Sequence, residues 1–384
     1  MKKLLVIAET YLDKDNGGTQ SIAFNQILNA YSNYFDNIIT IVPSKDKKED
    51  FFEISKIRYY SINSYNRTWI RRLKFIIYRK DTERKISQII NKEKPTLIQL
   101  RIPSIFDIWL FPYFNKLGIP ITTYVGGEWD EALTLNYSHL PFIRVISRKL
   151  FNIQNKIISK SIPICAGDHL KERFLKINPK TYAYYSTTHN KVHFRIKRKN
   201  YYNLMIVGRL EKLKRVKDAI LATHVLVQKN KNYKLSILGD GKERDELMNL
   251  TNRLNLQNNV IFYGNISDKT QLHEFYMRND ILIHPSLSEG TSKVLAESMS
   301  YGLLPIAVKD VGSNNYIISN KRGYLVNPKS HEEIATKILL FNSASEELQN
   351  EFINEGYIYA KRHTIDKELD KMWSYIFENI NSYK

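Results

Sequence analysis

The chain has 384 residues, of which 43% are hydrophobic and 25% are charged, and its formal net charge is +19. This composition is typical of a soluble globular protein, and the length favours two domains. No apolar run reaches the roughly 18 residues of a membrane-spanning helix, and the first run ends at Glu9, too early for a signal peptide. The single cysteine, Cys165, excludes an internal disulfide, and we expect a cytoplasmic protein.

The positive charge indicates an anionic partner, which is a nucleic acid, a membrane surface or an anionic substrate. Residues 67–85 and 142–160 combine basic side chains with apolar positions at helical spacing. This pattern fits a helix lying on anionic lipid, but it fits an ordinary amphipathic helix packed on a sheet somewhat better, because the basic composition extends over the whole chain. We carry forward a peripheral position on the inner face of the cell membrane as a hypothesis, with no nucleic-acid partner.

Short buried strands alternate with helices along the chain, which predicts an α/β protein with parallel sheets covered on both faces. The first half offers the strands LLVIA, NIITIVP, TLIQLRIP, IPITTYVGG and IPICAG. The second half offers NLMIVGRL, KLSILGDG, NVIFYGNI, DILIHPSL and LLPIAVKD. The polar stretch between them lacks periodicity, so the predicted division is a first domain at 1–186, a linker at 187–200, a second domain at 201–363 and a final helix at 364–384.

Basic side chains follow the first strand of the second half. GRLEKLKR (208–215) places Arg209 and Lys214 in the loop after this strand. An arginine offers a planar fork to phosphate oxygens and a lysine offers a compact charge, so the pair is suited to a diphosphate. The turn in LSILGDG (235–241) lets backbone approach a ligand closely, and FYGNIS (262–267) brings a third strand end to the same edge.

Two glutamates, Glu289 and Glu297, lie in HPSLSEGTSKVLAESMSYG (284–302), which is predicted to be a strand, a short loop and a helix. The helix start suits a phosphate because its amides and dipole favour an anion. Two carboxylates beside that anion would repel it unless each of them binds a group rich in hydroxyls. A sugar on one side of a diphosphate and a ribose on the other side meet this condition. We assign His284 a structural role at the strand end.

Taken in order, GRLEKLK, LSILGDG, EGTSKVLAE and DVGSNNYIISNKRGYLV resemble glycosyltransferase family four, a group of retaining enzymes. The resemblance covers residues 203–335 and extends more loosely to the Gly17–Gly18 loop near the N-terminus. It implies the GT-B fold, in which two Rossmann-like domains face a central cleft and the C-terminal helix crosses back to the first domain. It also implies that the first domain binds the acceptor and the second binds the nucleotide sugar.

The resemblance implies a role for each matching residue. Arg209, Lys214 and Glu289 would be catalytic, with the two cations on the leaving diphosphate and Glu289 on the transferred sugar, while Glu297 would bind the ribose. The implied donor-binding set is Gly17, Gly18, Gly208, Gly241, Gly264, Ile266, Gly290, Thr291, Ser292, Val294 and Glu297. Members of this family do not depend on a metal, and we expect neither a metal nor a cofactor here.

The acceptor side departs from the family. The common first-domain histidine has no clear match, because ITTYVGGEWDEA places Glu128 and Asp130 where it is expected. Glu128, Asp130 and His169 are the acceptor candidates, although a surface or capping role fits the two acidic residues equally well. The sequence does not identify the donor sugar, the base, the acceptor or the linkage.

The resulting hypothesis is a retaining hexosyltransferase. It would move a sugar from a nucleotide-diphosphate donor, with UDP as the expected nucleotide, to a glycan acceptor carried on a lipid, in the synthesis of a bacterial surface polysaccharide (capsule, exopolysaccharide or lipopolysaccharide). One alternative is a nucleotide-sugar epimerase or hydrolase on the same fold, since water can replace the acceptor. Another is a non-catalytic, basic binding subunit.

Overall fold

A computed structural model gives the structure of the chain and describes residues 2–13, 17–43, 51–62, 69–127, 142–194, 200–318 and 321–380. Within helices, the side chains of residues 22, 23, 69–79 and 105 lie outside this description. The chain divides into two compact units. The first comprises residues 1–166, 170–184 and 369–384, and the second comprises 167–169 and 185–368.

The first unit alternates strands and helices along the chain. Its elements are β1 (Lys3–Ile7), β2 (Leu12–Asp13), β3 (Gly18–Thr19), α1 (Ile22–Tyr31), β4 (Asn37–Pro43), β5 (Phe51–Ile54), β6 (Ile57–Ile62), α2 (Trp69–Glu93), β7 (Leu97–Ile102), α3 (Ile105–Phe114), β8 (Ile121–Val125), α4 (Ile143–Ser159), β9 (Ile162–Ala166), α5 (Asp168–Leu175) and β10 (Tyr182–Tyr184). Helices α1 and α3 begin where a serine hydroxyl, that of Ser21 or Ser104, accepts an amide of the first turn.

Eight strands of the described residues form one sheet in the order β10-β9-β8-β7-β1-β4-β6-β5. Neighbouring strands are parallel, except that β5 runs antiparallel to β6. From β1 the chain adds strands on one side and then, from β7 onward, on the other. The strand order therefore reverses between β1 and β7, and such a reversal opens a crevice at the carboxyl ends of the two strands.

The second unit repeats the alternation. Its elements are β11 (Asn203–Val207), a 3₁₀ turn (Lys212–Lys214), α6 (Val216–Lys229), β12 (Lys234–Leu238), α7 (Arg244–Arg253), β13 (Val260–Gly264), α8 (Lys269–Arg278), β14 (Ile281–His284), α9 (Lys293–Ser300), β15 (Leu304–Val308), α10 (Asn314–Ile317), β16 (Tyr324–Val326), α11 (His331–Ser343) and α12 (Glu346–Arg362). In the part of the chain described, these six strands form a parallel sheet ordered β13-β12-β11-β14-β15-β16. The order reverses between β11 and β14.

The last helix, α13 (Ile365–Ile380), begins in the second unit and packs on the first. The Trp373 side chain is fully buried, and its ring meets Tyr31 and Phe35 edge-on, with centroids 4.8 and 4.7 Å away. Apart from residues 167–169, which belong to the second unit, the chain changes units at residues 184–185 and 368–369, where the sequence predicts changes at 186–187 and 363–364. The predicted α/β architecture with parallel sheets is confirmed. Among the helices described, none is both long and apolar enough to cross a bilayer.

Candidate active site

The loops after the strands of the second sheet are joined by backbone hydrogen bonds. The amides of Gly208 and Leu210 donate to Leu238 and Asp240, at 3.0 and 2.9 Å, and the Gly239 amide donates to Gly264 at 2.7 Å. A β-carbon on Gly239 would lie 1.8 Å from the Gly208 oxygen, so only glycine permits this approach. These contacts hold the strand ends together beside the β11–β14 reversal, where a ligand is expected.

Lys214 and Glu289 meet at this reversal. Lys214 closes the 3₁₀ turn after β11, and Glu289 lies in the loop after β14. The Lys214 ammonium donates to Glu289 Oε1, and the two side chains are only 23% and 15% exposed. The next residue, Arg215, adopts a left-handed conformation and binds the buried Asp218 carboxylate through two nitrogens, at 2.9 and 2.6 Å. These two hydrogen bonds to Asp218 fix the turn that carries Lys214.

His284 is the second partner of Glu289. At the end of β14, its Nε2 lies 3.3 Å from Glu289 Oε1 and 3.1 Å from Ser292 Oγ. Ser292 Oγ donates to Asn314 Oδ1 at 3.0 Å, because the Asn314 amide nitrogen itself donates to the Val308 carbonyl at 2.8 Å. The serine oxygen must then accept from the histidine. Nε2 of His284 therefore carries a proton and directs it toward Ser292 and Glu289.

The surroundings of Glu289 favour its ionised form. Burial raises the pKa of this carboxyl, but the hydrogen bond and charge of His284, together with Lys214, outweigh burial and lower the pKa to about 2. Glu289 is thus a carboxylate at any neutral pH. A carboxylate accepts hydrogen bonds from hydroxyl groups, and it is held here by two donors on a single oxygen.

Glu297 lies on α9, about one turn after this helix begins at Lys293. The Tyr276 hydroxyl donates to Glu297 Oε2 at 3.0 Å. Burial raises the pKa of Glu297, and the hydroxyls of Tyr276 and Thr188 oppose this rise. Glu297 is thereby positioned by an aromatic hydroxyl that the sequence analysis did not identify.

Arg209 pairs with a glutamate of its own loop. Its guanidinium is 72% exposed and donates to Glu211 Oε1 at 2.7 Å, two residues further along the chain. An exposed pair of this kind contributes only ~0–1 kcal/mol, because water screens it and holding two long side chains costs entropy. The guanidinium is therefore easily released from Glu211.

The other donor candidates of the second unit are distributed around the loops. A β-carbon on Gly241 would lie 2.4 Å from the Leu210 oxygen, and Gly264 adopts a φ of +73° at the end of β13. Ile266 and Val294 pack against the apolar cluster beneath α9. Gly290 and Thr291 complete the loop between Glu289 and Ser292, and the Gly290 carbonyl accepts the amide of Ser313 at 3.0 Å.

Gly17 and Gly18 belong to the first unit, where Gly18 begins β3. Gly18 has a φ of +140°, and a β-carbon there would lie 2.4 Å from the Tyr59 hydroxyl. The acceptor candidates Glu128 and Asp130 lie outside the described residues. His169 is exposed in the first turn of α5. Within the described ranges, no group of three or more metal-ligating side chains occurs.

Three features of this site were not predicted from the sequence: the Arg215–Asp218 pair, Tyr276 and the Asn314–Ser292–His284 chain. His284 stands directly before the Pro-Ser of the glutamate loop, and a polar residue ending an otherwise apolar strand was the available signal. The other partners come from distant elements, which no local pattern joins.

Comparison with known proteins identifies a family and several relatives that are similar to this chain. Residues 189–359 match the family Glycosyl transferases group 1. Protein CapJ of Staphylococcus aureus is 25% identical over 92% of this chain and 90% of its own. The poly(ribitol-phosphate) alpha-N-acetylglucosaminyltransferase of Staphylococcus aureus is 26% identical over 37% of this chain and 29% of its own. The amylovoran biosynthesis glycosyltransferase AmsD of Erwinia amylovora is 30% identical over 33% and 34%.

Solved structures share the fold. Sucrose-phosphate synthase from Thermosynechococcus elongatus superimposes with a TM-score of 0.75 at 16% identity, over 98% of this chain and all of that one. Anabaena Alr3699/HepE, in complex with UDP and glucose, gives a TM-score of 0.71 at 16% identity over the same shares. The segment that matches the family model, residues 189–359, contains Lys214, His284 and Glu289. Residues 189–359 are similar to the group 1 glycosyltransferases, and the chain shares the GT-B fold of these solved structures.

Proposed function

We propose that the chain is a retaining glycosyltransferase that moves a hexose from a UDP-sugar to a lipid-linked glycan in the synthesis of a bacterial surface polysaccharide. The observation that carries this proposal is the Lys214–Glu289 pair at the β11–β14 reversal. It joins a cation suited to a diphosphate with a carboxylate suited to sugar hydroxyls. The HepE structure with UDP and glucose supports the donor class, and the poly(ribitol-phosphate) and amylovoran enzymes support the polymer class.

In the proposed reaction, binding of the nucleotide sugar changes the partner of Lys214. The ammonium moves from Glu289 to the diphosphate, and Glu289 then accepts hydrogen bonds from the hexose. Each charge-assisted bond gained is worth ~1.5–3 kcal/mol. Arg209, released from Glu211, adds its fork to the same phosphates. Glu297 accepts from the ribose hydroxyls.

Transfer breaks the bond between the anomeric carbon and the phosphate oxygen. The acceptor hydroxyl forms the new bond on the same face, and its proton passes to the departing phosphate oxygen, so the products are UDP and the glycoside. Negative charge grows on the diphosphate during this step, and preorganised cations lower the barrier most where charge develops. Lys214 and Arg209 supply that charge, and no metal or cofactor enters the proposal.

Membrane association forms part of the proposal and rests on α4. Three exposed apolar side chains form a strip along α4. Phe142, directly before the helix, is 73% exposed, and Ile146 and Ile153 on the helix are 49% and 39% exposed. Exposed Lys149 and Lys156 flank that strip. An exposed apolar strip beside lysines suits the surface of anionic lipid, where the carrier of a lipid-linked acceptor would lie. The other basic stretch, 67–85, falls largely outside the described side chains.

A thermal-shift panel of UDP-, GDP- and ADP-sugars tests the donor site. We expect one UDP-sugar to stabilise the wild type, by about 2.7 kcal/mol at a hundredfold excess over Kd. Glu289→Ala and Lys214→Ala should lose this shift, whereas Arg278→Ala, which removes an exposed ion pair on α8, should retain it. The assignment is wrong if no nucleotide sugar stabilises the wild type, or if the Glu289 and Lys214 variants bind equally well.

Incubation with the identified donor separates the alternative activities. Release of UDP that requires an acceptor supports transfer, while release without one favours a hydrolase or an epimerase. The anomeric configuration of the product, read by NMR, tests retention, and activity in excess EDTA tests independence from metal. A salt-dependent affinity for DNA that exceeds the affinity for any nucleotide sugar would favour a basic binding subunit.

A further inference from the structure

Arg101 lies near the carboxyl end of β7, beside the reversal of strand order between β1 and β7 in the first unit. Its guanidinium carbon is 4.6 Å from the centre of the Tyr124 ring and 5.2 Å from that of Phe24. The side chain is half-buried. The two rings hold the guanidinium by cation–π attraction, which leaves the N–H groups at its edge available for hydrogen bonds.

The nearby carboxyl groups do not neutralise this guanidinium. Asp107 Oδ2 accepts the backbone amide of Arg101 at 2.9 Å, and Glu9 Oε1 accepts the Ser104 hydroxyl and the Phe106 amide at 3.0 and 3.1 Å. Burial raises the pKa of Asp107 well above its ordinary range, which favours the uncharged acid. Among the residues that the structure describes, Arg101 has neither an ion pair nor a side-chain hydrogen bond.

A half-buried guanidinium without a counter-ion is costly to maintain, and its five donors in a rigid fork match the oxygens of a phosphate or a carboxylate. The strand-order reversal beside it is the place where an α/β sheet binds its ligand. A transferase has two substrates, and the donor is proposed at the corresponding reversal of the second sheet.

We propose that Arg101 binds an anionic group, a phosphate or a carboxylate, of the acceptor. This inference rests on the proposed transferase function, and it assigns to the first unit a substrate-binding residue that the sequence analysis did not consider. The guanidinium fork receives the oxyanion, and the Phe24 and Tyr124 rings keep the fork in place. Arg101 thereby selects an acceptor that carries negative charge close to the sugar.

The test titrates four probes against the full chain at low ionic strength, with UDP present to occupy the donor site. Farnesyl phosphate and glucose 1-phosphate carry a phosphate with and without a lipid, glucuronic acid carries a carboxylate, and methyl glucoside is neutral. We expect at least one anionic probe to bind about tenfold or more tightly than methyl glucoside, the ratio that one charge-assisted bond provides. The strongest probe identifies the kind of oxyanion.

Arg101→Gln should abolish this preference for anions, and Arg101→Lys should restore it in part, because a point charge replaces the fork. Arg84→Gln, which removes an exposed arginine of α2 in the same unit, is the matched control. Equal binding of the anionic probe to wild type and Arg101→Gln overturns the inference, as does the absence of any anion binding at about 10 mM. UDP binding, measured first on the same samples, reports separately on the proposed function.

Discussion

His284 Nε2 lies 3.3 Å from Glu289 Oε1, the oxygen that also receives the Lys214 ammonium. Two nitrogen donors therefore hold one carboxylate oxygen, and none of the hydrogen bonds among the described residues involves Oε2. If Lys214 moves to the diphosphate, His284 remains to hold Glu289. This arrangement makes His284 a positioning residue for the proposed donor site.

Replacing His284 tests this role. We expect His284→Leu to weaken donor binding about tenfold, the effect of one lost hydrogen bond to a charged group. His284→Gln should retain most of the affinity, because its amide nitrogen can replace Nε2. Isothermal titration with the donor measures both, and His331→Leu serves as the control, because His331 is a partly exposed histidine of α11 whose Nε2 lies 3.1 Å from Glu332 Oε1. Equal affinities of the Leu and Gln variants would argue against a hydrogen-bonding role.

Glu289 predicts an acid dependence of stability. Its pKa falls from an ordinary value of 4.5 to about 2 on folding, so the unfolded chain binds this proton more readily. The stabilisation is fully present above about pH 5 and is lost as the pH falls toward 2. The difference in unfolding free energy between wild type and Glu289→Gln should shrink over this window, measured by urea titration. A difference that stays constant from pH 7 to pH 3 contradicts the assigned ionisation.

Arg209 and Glu211 form an exposed pair that the donor should separate. We expect Arg209→Gln to weaken donor binding about tenfold, because a charge-assisted phosphate contact is lost. Glu211→Gln should leave donor affinity unchanged or raise it, since it removes only a weak competitor. Titrations of both variants decide the matter. If both substitutions weaken binding alike, the pair acts as a structural unit and Arg209 does not reach the phosphates.

The apolar strip of α4 predicts lipid binding. Ile146→Glu should reduce sedimentation with anionic liposomes severalfold, because a carboxylate enters the strip and opposes the negative surface. Leu340→Glu is a matched control, since Leu340 on α11 is 51% exposed against 49% for Ile146. Liposomes of neutral lipid complete the comparison. Equal sedimentation of the two variants, or no dependence on anionic lipid, would remove α4 from the proposal.

The burial of Trp373 indicates that the last helix stabilises the first unit. Trp373→Ala removes a fully buried ring from its contacts with Tyr31 and Phe35, and such truncations cost about 3–5 kcal/mol. We expect Trp373→Ala to lower the unfolding temperature of the first unit, which calorimetry measures. Ser374→Ala changes the exposed neighbour and should have little effect. A similar melting profile for both variants would show that α13 contributes little.

Local patterns in the sequence predicted the strands and the order of the motifs. Continuous apolar runs such as Leu4–Ile7 and Ile281–Ile283 are buried in parallel sheets, where both faces are covered, so a short uninterrupted apolar run identifies them rather than an alternating pattern. The ends of parallel strands meet at one edge, which made a site near Lys214 and Glu289 foreseeable. These inferences depend on neighbours along the chain.

Contacts between distant residues depended on how the chain folds. Lys214 and Glu289 are 75 positions apart in the sequence and form a hydrogen bond. Arg209, five residues before Lys214, instead donates a hydrogen bond to Glu211. Arg101 forms no ion pair among the described residues, and the nearby Asp107 and Glu9 accept backbone and serine donors instead. Which donor reaches which carboxylate follows from side-chain geometry after the sheets have formed, and residue types at given spacings do not encode that choice.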